Sequence, residues 1–294
     1  MTYRTLVSAD DLKALLDAGE DLLILDCEFD LASPSAGLDA YREGHLPGAR
    51  HADLDTALSG HATGTNGRHP LPARDAFAGW LRAQGLKNGQ QVVAYGGMGN
   101  AGAARAWWLL RWMGHAEVAV LDGGRKAWVV AGHELETGDA PEAAAGDFTS
   151  GLPLVAGTLS ADDVLANIEG GKAQVLDARD PARFSGENAA MDPVAGHIPG
   201  ARNRFFRDNL TKDGTFRPAA ELKAEFEDLL GDAPAILQCG SGVTACHNAL
   251  AMELAGLPGA FLYPGSWSEW ITDPARPVAT GSEPWGDAEF RHKL

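Results

Sequence analysis

Gly44-His45-Leu46-Pro47-Gly48-Ala49-Arg50 returns almost unchanged as Gly196-His197-Ile198-Pro199-Gly200-Ala201-Arg202. Each copy follows, by about twenty residues, a short apolar run ending in aspartate: Leu22–Asp26 in one case and Val175–Asp177 in the other. Further along, Gly123-Gly124 with Trp128 matches Gly265-Ser266 with Trp270. The spacing is shorter in the second half because the first carries a longer middle segment around His61–Pro72. A repeat that fills half of a chain is too long for a solenoid unit and reads as duplication of a whole domain. The length of 294 residues, against about 150 for a usual domain, agrees.

Each half alternates strand-like and helix-like pieces. Leu22–Asp26, Val92–Tyr95 and Val118–Leu121 are short, apolar and rich in branched residues, as buried parallel strands are. Arg74–Gln84 and Ala103–Met113 have helical spacing. The second half repeats the order with strands at Gln174–Asp177, Ala235–Gln238 and Ala260–Tyr263, and helices at Ala219–Leu230 and Ala245–Ala255. This pattern predicts an α/β protein of two tandem domains, each a parallel sheet flanked by helices. The expected boundaries are 1–137 and 158–294, joined by an Ala/Gly/Pro-rich linker over 138–157. In such sheets, sites form beyond the C-terminal ends of the strands.

Composition narrows the function. A hydrophobic content of 45% with 22% charged residues is that of an ordinary globular protein. No apolar run can span a bilayer, and Met1-Thr2-Tyr3-Arg4 leads into no apolar signal core, so a cytoplasmic protein is expected. Three cysteines argue against a disulfide framework, and no Cys/His spacing suits zinc. No metal or other cofactor is expected. The net charge of −16 disfavours nucleic acid and anionic membranes as partners. A small anionic substrate would need local positive charge, which makes arginines near the site worth locating.

The stretch Ala235-Ile236-Leu237-Gln238-Cys239-Gly240-Ser241-Gly242-Val243-Thr244 sets a thiol between a buried strand and a helix N-terminus. Backbone N–H groups and the helix dipole favour negative charge there, and the thiolate is the nucleophilic form of cysteine. Cys239 is the candidate nucleophile. Carrying the repeat back to the first half sets Gly97 opposite Cys239, so only one half retains a thiol. A cysteine phosphatase or arsenate reductase would need arginine six residues after the cysteine, where Ala245 stands. No Gly-Lys-Ser/Thr follows a glycine turn, and the Gly96–Gly102 run lacks the acidic ribose partner of a dinucleotide loop.

The two Gly-His-Leu/Ile-Pro-Gly-Ala copies, the Cys239–Thr244 loop and Gly265-Ser266-Trp267-Ser268-Glu269-Trp270 together resemble a tandem-domain rhodanese sulfurtransferase, over about residues 8–285. The resemblance implies that Cys239 takes a sulfane sulfur from a small anionic donor as a persulfide. It then hands the sulfur to cyanide or to a thiol acceptor such as a reduced thioredoxin-like protein. Thiosulfate-preferring members carry cationic residues in this loop, whereas Cys-Gly-Ser-Gly-Val-Thr resembles mercaptopyruvate-preferring ones. A thiosulfate-preferring enzyme, or a persulfide carrier serving a partner protein, is the alternative.

By the same resemblance, Gly240, Gly242, Val243 and Thr244 line the donor site, and Arg183 binds the donor carboxylate. Ser241 either shares in proton transfer or, with Thr244, caps the helix. His45, oriented by Asp39, is the candidate relay for Ser241, although two Gly-His copies with only one active site favour a structural role in pinning the turns. The family's second arginine would fall at Ala190, seven residues before His197, and Pro264 replaces a frequent aspartate. Arg179, Arg202 and Arg204 are the candidates for the missing charge. Cys27 and Cys246 read as buried core residues. Trp107, Trp108, Trp112, Trp128, Trp267 and Trp270 read as packing residues, with Trp267 a candidate for lining the pocket.

Overall fold

The computed structural model of the protein describes residues 2–188 and 191–286. The chain divides into two compact units, and each takes one segment from the other's half of the sequence. Unit 1 comprises Met1–Gly60, Leu71–Leu154 and Leu210–Phe216; unit 2 comprises His61–Pro70, Val155–Asn209 and Arg217–Leu294.

Unit 1 runs β1 (Leu6–Val7), α1 (Ala9–Asp17), β2 (Leu22–Asp26), α2 (Ala36–Glu43), β3 (Arg50–His51), α3 (Arg74–Ala83), β4 (Gln91–Tyr95), α4 (Gly97–Trp112), β5 (Val118–Leu121) and α5 (Gly124–Val130). Its five strands form a parallel sheet in the order β1-β5-β4-β2-β3. Unit 2 runs α6 (Ala161–Gly170), β6 (Gln174–Asp177), α7 (Pro181–Ser185), β7 (Arg202–Asn203), a 3-10 turn (Phe206–Asn209), α8 (Ala219–Leu230), β8 (Ala235–Gln238), α9 (Thr244–Leu254), β9 (Phe261–Leu262) and α10 (Ser266–Trp270). Its parallel sheet has the order β7-β6-β8-β9. The equivalent strands pair alike: Asp26 stands beside Tyr95 in one sheet, and Asp177 beside Gln238 in the other. A single parallel bridge from Thr158 to Leu262 takes the place of β1 in unit 2.

The central strands are buried along their whole length, which is why they read as unbroken apolar runs. Each unit closes its own core. Trp128 packs with Ile24, Val93 and Leu121 in unit 1, and Trp267 and Trp270 pack with Val175, Ile236 and Tyr263 in unit 2. Ser8 caps α1 by accepting the Asp11 N–H, and Ser160 caps α6 through a reciprocal box with Asp163. The first half's Ala/Gly/Pro-rich stretch is tied to unit 1, where Gly146 N donates to Arg82 O and Phe148 N to Leu86 O at 2.8 and 3.1 Å. Among the described residues, no helix is long and apolar enough to cross a membrane.

The repeated Gly-His turns do the same structural work in both units. The backbones of His45 and Glu136 exchange two hydrogen bonds, as do those of His197 and Ala279. Each ring Nδ1 faces a carbonyl, Tyr41 O at 2.9 Å or Phe184 O at 3.0 Å. Each ring also stacks on that residue's aromatic ring, at 4.1 and 3.8 Å. His45 is thus a pin for the turn. Its nearest acid is Glu136, at 3.9 Å, while Asp39 is exposed on α2.

Candidate active site

Cys239 follows the last residue of β8, and α9 begins five residues later at Thr244. The intervening loop folds the backbone back over the sulfur, and Gly242 N–H donates to Cys239 Sγ at 3.1 Å. Gly242 has φ +78°, and a Cβ there would lie 2.4 Å from the Pro264 carbonyl oxygen, so only glycine fits. Val243 is the buried N-cap residue of α9 and makes no side-chain cap bond. The Cys239 amide is fixed from behind: its N–H donates to Ser266 Oγ at 3.1 Å, and that hydroxyl donates to Tyr263 O at 2.9 Å. Ser266 holds this position at φ +53°, in the left-handed region, where its counterpart Gly124 sits at φ +60° without strain. Backbone strain at Ser266 is accepted for the sake of a hydroxyl that positions Cys239.

Ser241 does not cap the helix. Its hydroxyl lies 2.7 Å from His69 Nδ1, and both groups are buried. The histidine beside Ser241 is therefore His69, from the His61–Pro70 segment of unit 2. That segment is the extra middle piece of the first half. It is anchored by Arg68 N–H donating to Ser268 Oγ at 3.0 Å, and Gly67, at φ +84°, packs on the Gly265 backbone with no room for a side chain.

Charge is concentrated beside the loop. Arg183, on α7, and Arg68 both grip the Asp192 carboxylate, at 2.5 and 2.7 Å. Burial alone would raise the Asp192 carboxyl, but the Arg183 and Arg68 guanidiniums outweigh it and hold it below the usual carboxylate range. A Cβ added at Gly240 would stand 2.9 Å from Arg68 Nη2 and 3.0 Å from Arg183 Nη2. Gly240 is thus the loop residue that faces both cations, and a bulky cationic side chain there would meet them head-on.

The other candidate arginines make their main contacts with other groups, and Arg179 Nη1 also lies 3.9 Å from Asp192 Oδ2. Arg179 is buried, forks onto Asp177 and lies over the Trp267 ring at 4.7 Å. Trp267 itself is fully buried in the core. Arg202 donates to Leu229 O, and Arg204 pairs with Glu225. Ala190 lies outside the described residues. Cys246 is buried within α9, with its thiol 3.3 Å from Gly242 O.

The matching place in unit 1 is filled differently. Met98, Gly99 and Asn100 turn left-handed in succession at the start of α4, and Asn100 Oδ1 accepts the Gly96 N–H at 3.0 Å. A Cβ at Gly97 would fall 2.1 Å from Glu28 Oε2, so a carboxylate occupies the space of the missing side chain. Burial raises the Glu28 carboxyl above its ordinary range, against the pull of Arg125, 3.4 Å away, and of the Gly97 N–H. Cys27 nearby is pushed well up by burial, then by Asp26 and Glu28, which keeps it a protonated core thiol.

A carboxyl raised in the folded state binds its proton more tightly there. The stability it contributes is present at acid pH and is lost as pH rises through its folded value. Glu28→Gln is therefore expected to melt close to the parent at about pH 4, and increasingly above it as pH approaches 7. A melting difference independent of pH would overturn this account.

Known proteins resemble the chain over most of its length. The family described as Rhodanese-like domain matches residues 8–131 and again 160–273. A probable 3-mercaptopyruvate sulfurtransferase of Pseudomonas aeruginosa is 48% identical over 286 residues, spanning 96% of this chain and 100% of that protein. A putative thiosulfate sulfurtransferase, SseB of Mycobacterium tuberculosis, is 40% identical across 95% of this chain and 98% of its own. The crystal structure of the 3-mercaptopyruvate sulfurtransferase SseA from Escherichia coli superposes with a TM-score of 0.78 at 32% identity, covering 90% of this chain and 99% of that one.

Proposed function

The chain belongs to the rhodanese family as a sulfurtransferase of two rhodanese-like domains, and from that premise we propose that it takes sulfur from 3-mercaptopyruvate onto Cys239 and passes it to a thiol or to cyanide. The relatives' names divide between mercaptopyruvate and thiosulfate, so the choice of donor rests on the site itself.

The hydrogen bond between Ser241 and His69 carries that choice. The Cys239 thiolate attacks the donor's sulfur, an S–S bond forms, and the C–S bond breaks with its electron pair leaving on pyruvate as an enolate. The proton of the donor's thiol must then reach the pyruvate methyl carbon. A hydroxyl–imidazole pair two residues from the nucleophile is suited to hold and return it. Thiosulfate releases sulfite, a stable anion with no carbon to protonate, and would leave such a pair idle. The loop also favours the monocarboxylate: Gly240 and Ser241 add no charge, and Arg183 offers a fork to a carboxylate. The anionic persulfide is held by the loop N–H groups, of which Gly242 already points at the sulfur.

All three cysteines are buried and none is in a disulfide, which suits a reducing cytoplasm and a reduced acceptor such as a thioredoxin-like protein. With cyanide as acceptor, kcat/KM is expected to be at least about tenfold higher for 3-mercaptopyruvate than for thiosulfate. Thiosulfate as the better donor would overturn this assignment.

A further inference from the structure

We propose that Asp192 sets the choice of donor: its carboxylate cancels one of the positive charges beside Cys239, which leaves the site suited to a monoanion and unfavourable for a dianion. This deepens the mercaptopyruvate reading and rests on it.

The charge count near the loop is the first observation. Asp192 Oδ1 accepts from Arg68 Nη1 at 2.7 Å, and Oδ2 accepts from Arg183 Nη2 at 2.5 Å. Arg179 Nη1 also lies 3.9 Å from Oδ2, but its own fork is already answered by Asp177. Two guanidiniums and one carboxylate remain, a single net positive charge in a protein whose overall charge is −16. Without Asp192 the same place would carry two positive charges.

The second observation is that this negative charge is fixed. The Asp192 side chain is 3% exposed, against 34% for Arg68 and 17% for Arg183, so water screens it less than it screens the cations. Burial works to raise the Asp192 carboxyl, yet the Arg183 and Arg68 guanidiniums hold it below the usual range, so it is an anion at neutral pH.

Position is the third. Nη2 of Arg68 and Nη2 of Arg183 stand 2.9 and 3.0 Å from where a Cβ of Gly240 would lie, and Gly240 is the residue next to the nucleophile. The Asp192 carboxylate is therefore only one guanidinium away from the neighbourhood of a donor on Cys239. At that range, within a Debye length of about 8 Å, its repulsion reaches any anion that arrives. The repulsion scales with the donor's charge: it counts once against 3-mercaptopyruvate and twice against thiosulfate. Discrimination comes from what the site repels as well as from what it attracts.

In Asp192→Asn, with cyanide as acceptor, the ratio of kcat/KM for thiosulfate to that for 3-mercaptopyruvate is expected to rise at least about tenfold over the parent. Asp192→Glu keeps the charge and is expected to hold that ratio within about threefold. Inhibition reads the same charge without chemistry. Sulfate, a dianion with no sulfur to give, is expected to gain at least about tenfold over pyruvate, a monoanion, as an inhibitor of Asp192→Asn. Asp192→Ser is a second neutral variant in case the amide disturbs folding, which melting temperatures report. Unchanged ratios in a folded neutral variant, or an equal rise in Asp192→Glu, would overturn the proposal. Failure here leaves the parent enzyme's preference for mercaptopyruvate over thiosulfate intact, whereas failure of the functional reading shows as loss of that preference in the parent itself.

Discussion

Cys239→Ser is expected to lose sulfur transfer by at least about a thousandfold with either donor, while folding is preserved. An alkoxide cannot form under these conditions, and oxygen offers no stable counterpart to the persulfide. The structural cost is small because the side chain keeps its size and its role as acceptor. The Gly242 N–H that now points at Sγ would point at Oγ, and the Cys239 amide would still be held by Ser266. Exchanging one such hydrogen bond for another changes stability by about 1 kcal/mol. Activity, melting temperature and a mass spectrum after donor treatment check this together. The parent should gain one sulfur on the peptide containing Cys239, and the variant none. Retained turnover in the variant would rule out Cys239 as the nucleophile.

His69→Asn is expected to lower kcat for 3-mercaptopyruvate by about a hundredfold while changing thiosulfate transfer by less than about threefold. Asparagine can still hydrogen-bond Ser241 from a position close to that of Nδ1, so the loop stays anchored. What it lacks is a group that binds and releases a proton. The two donors therefore separate proton handling from architecture. Removing a purely structural contact would slow both reactions alike, and that outcome would overturn the relay. The pH profile of the mercaptopyruvate reaction should lose one limb in the variant, and the thiosulfate profile should not.

Much of this architecture is legible in the sequence. The apolar runs Leu22–Asp26, Val118–Leu121, Gln174–Asp177 and Ala235–Gln238 coincide with strands because parallel strands buried on both faces need no polar alternation. The two-residue strands β3 and β7 carry no period at all, so only their partners define them. Ser8-Ala9-Asp10-Asp11 and Ser160-Ala161-Asp162-Asp163 form a further repeated phrase, and its capping chemistry marks α1 and α6 where apolar spacing alone does not.

At the site, Cys239, its loop and Arg183 are local features and can be read directly. His69 and Arg68 are not, because they reach the loop from a segment far away in sequence. The available signal was indirect: the piece present in one half only holds arginine and histidine between Gly67 and Pro70. A plain connection has no need of that pair. The histidine of the Gly-His phrase drew attention by recurring, yet recurrence in both units is what a structural pin produces.

The left-handed loop at Gly97 has a consequence for how the two halves can change. A cysteine placed there alone drives its Cβ into the Glu28 carboxylate at 2.1 Å. Removing Glu28 alone strips the Arg125 guanidinium of its anion and leaves the Gly97 N–H facing an empty space. The clash makes a cysteine at position 97 costly unless Glu28 changes with it, so the two positions are epistatic. A thiol at position 97 of unit 1 is therefore closed off by the Glu28 carboxylate, and a change at position 97 alone does not open the space for it.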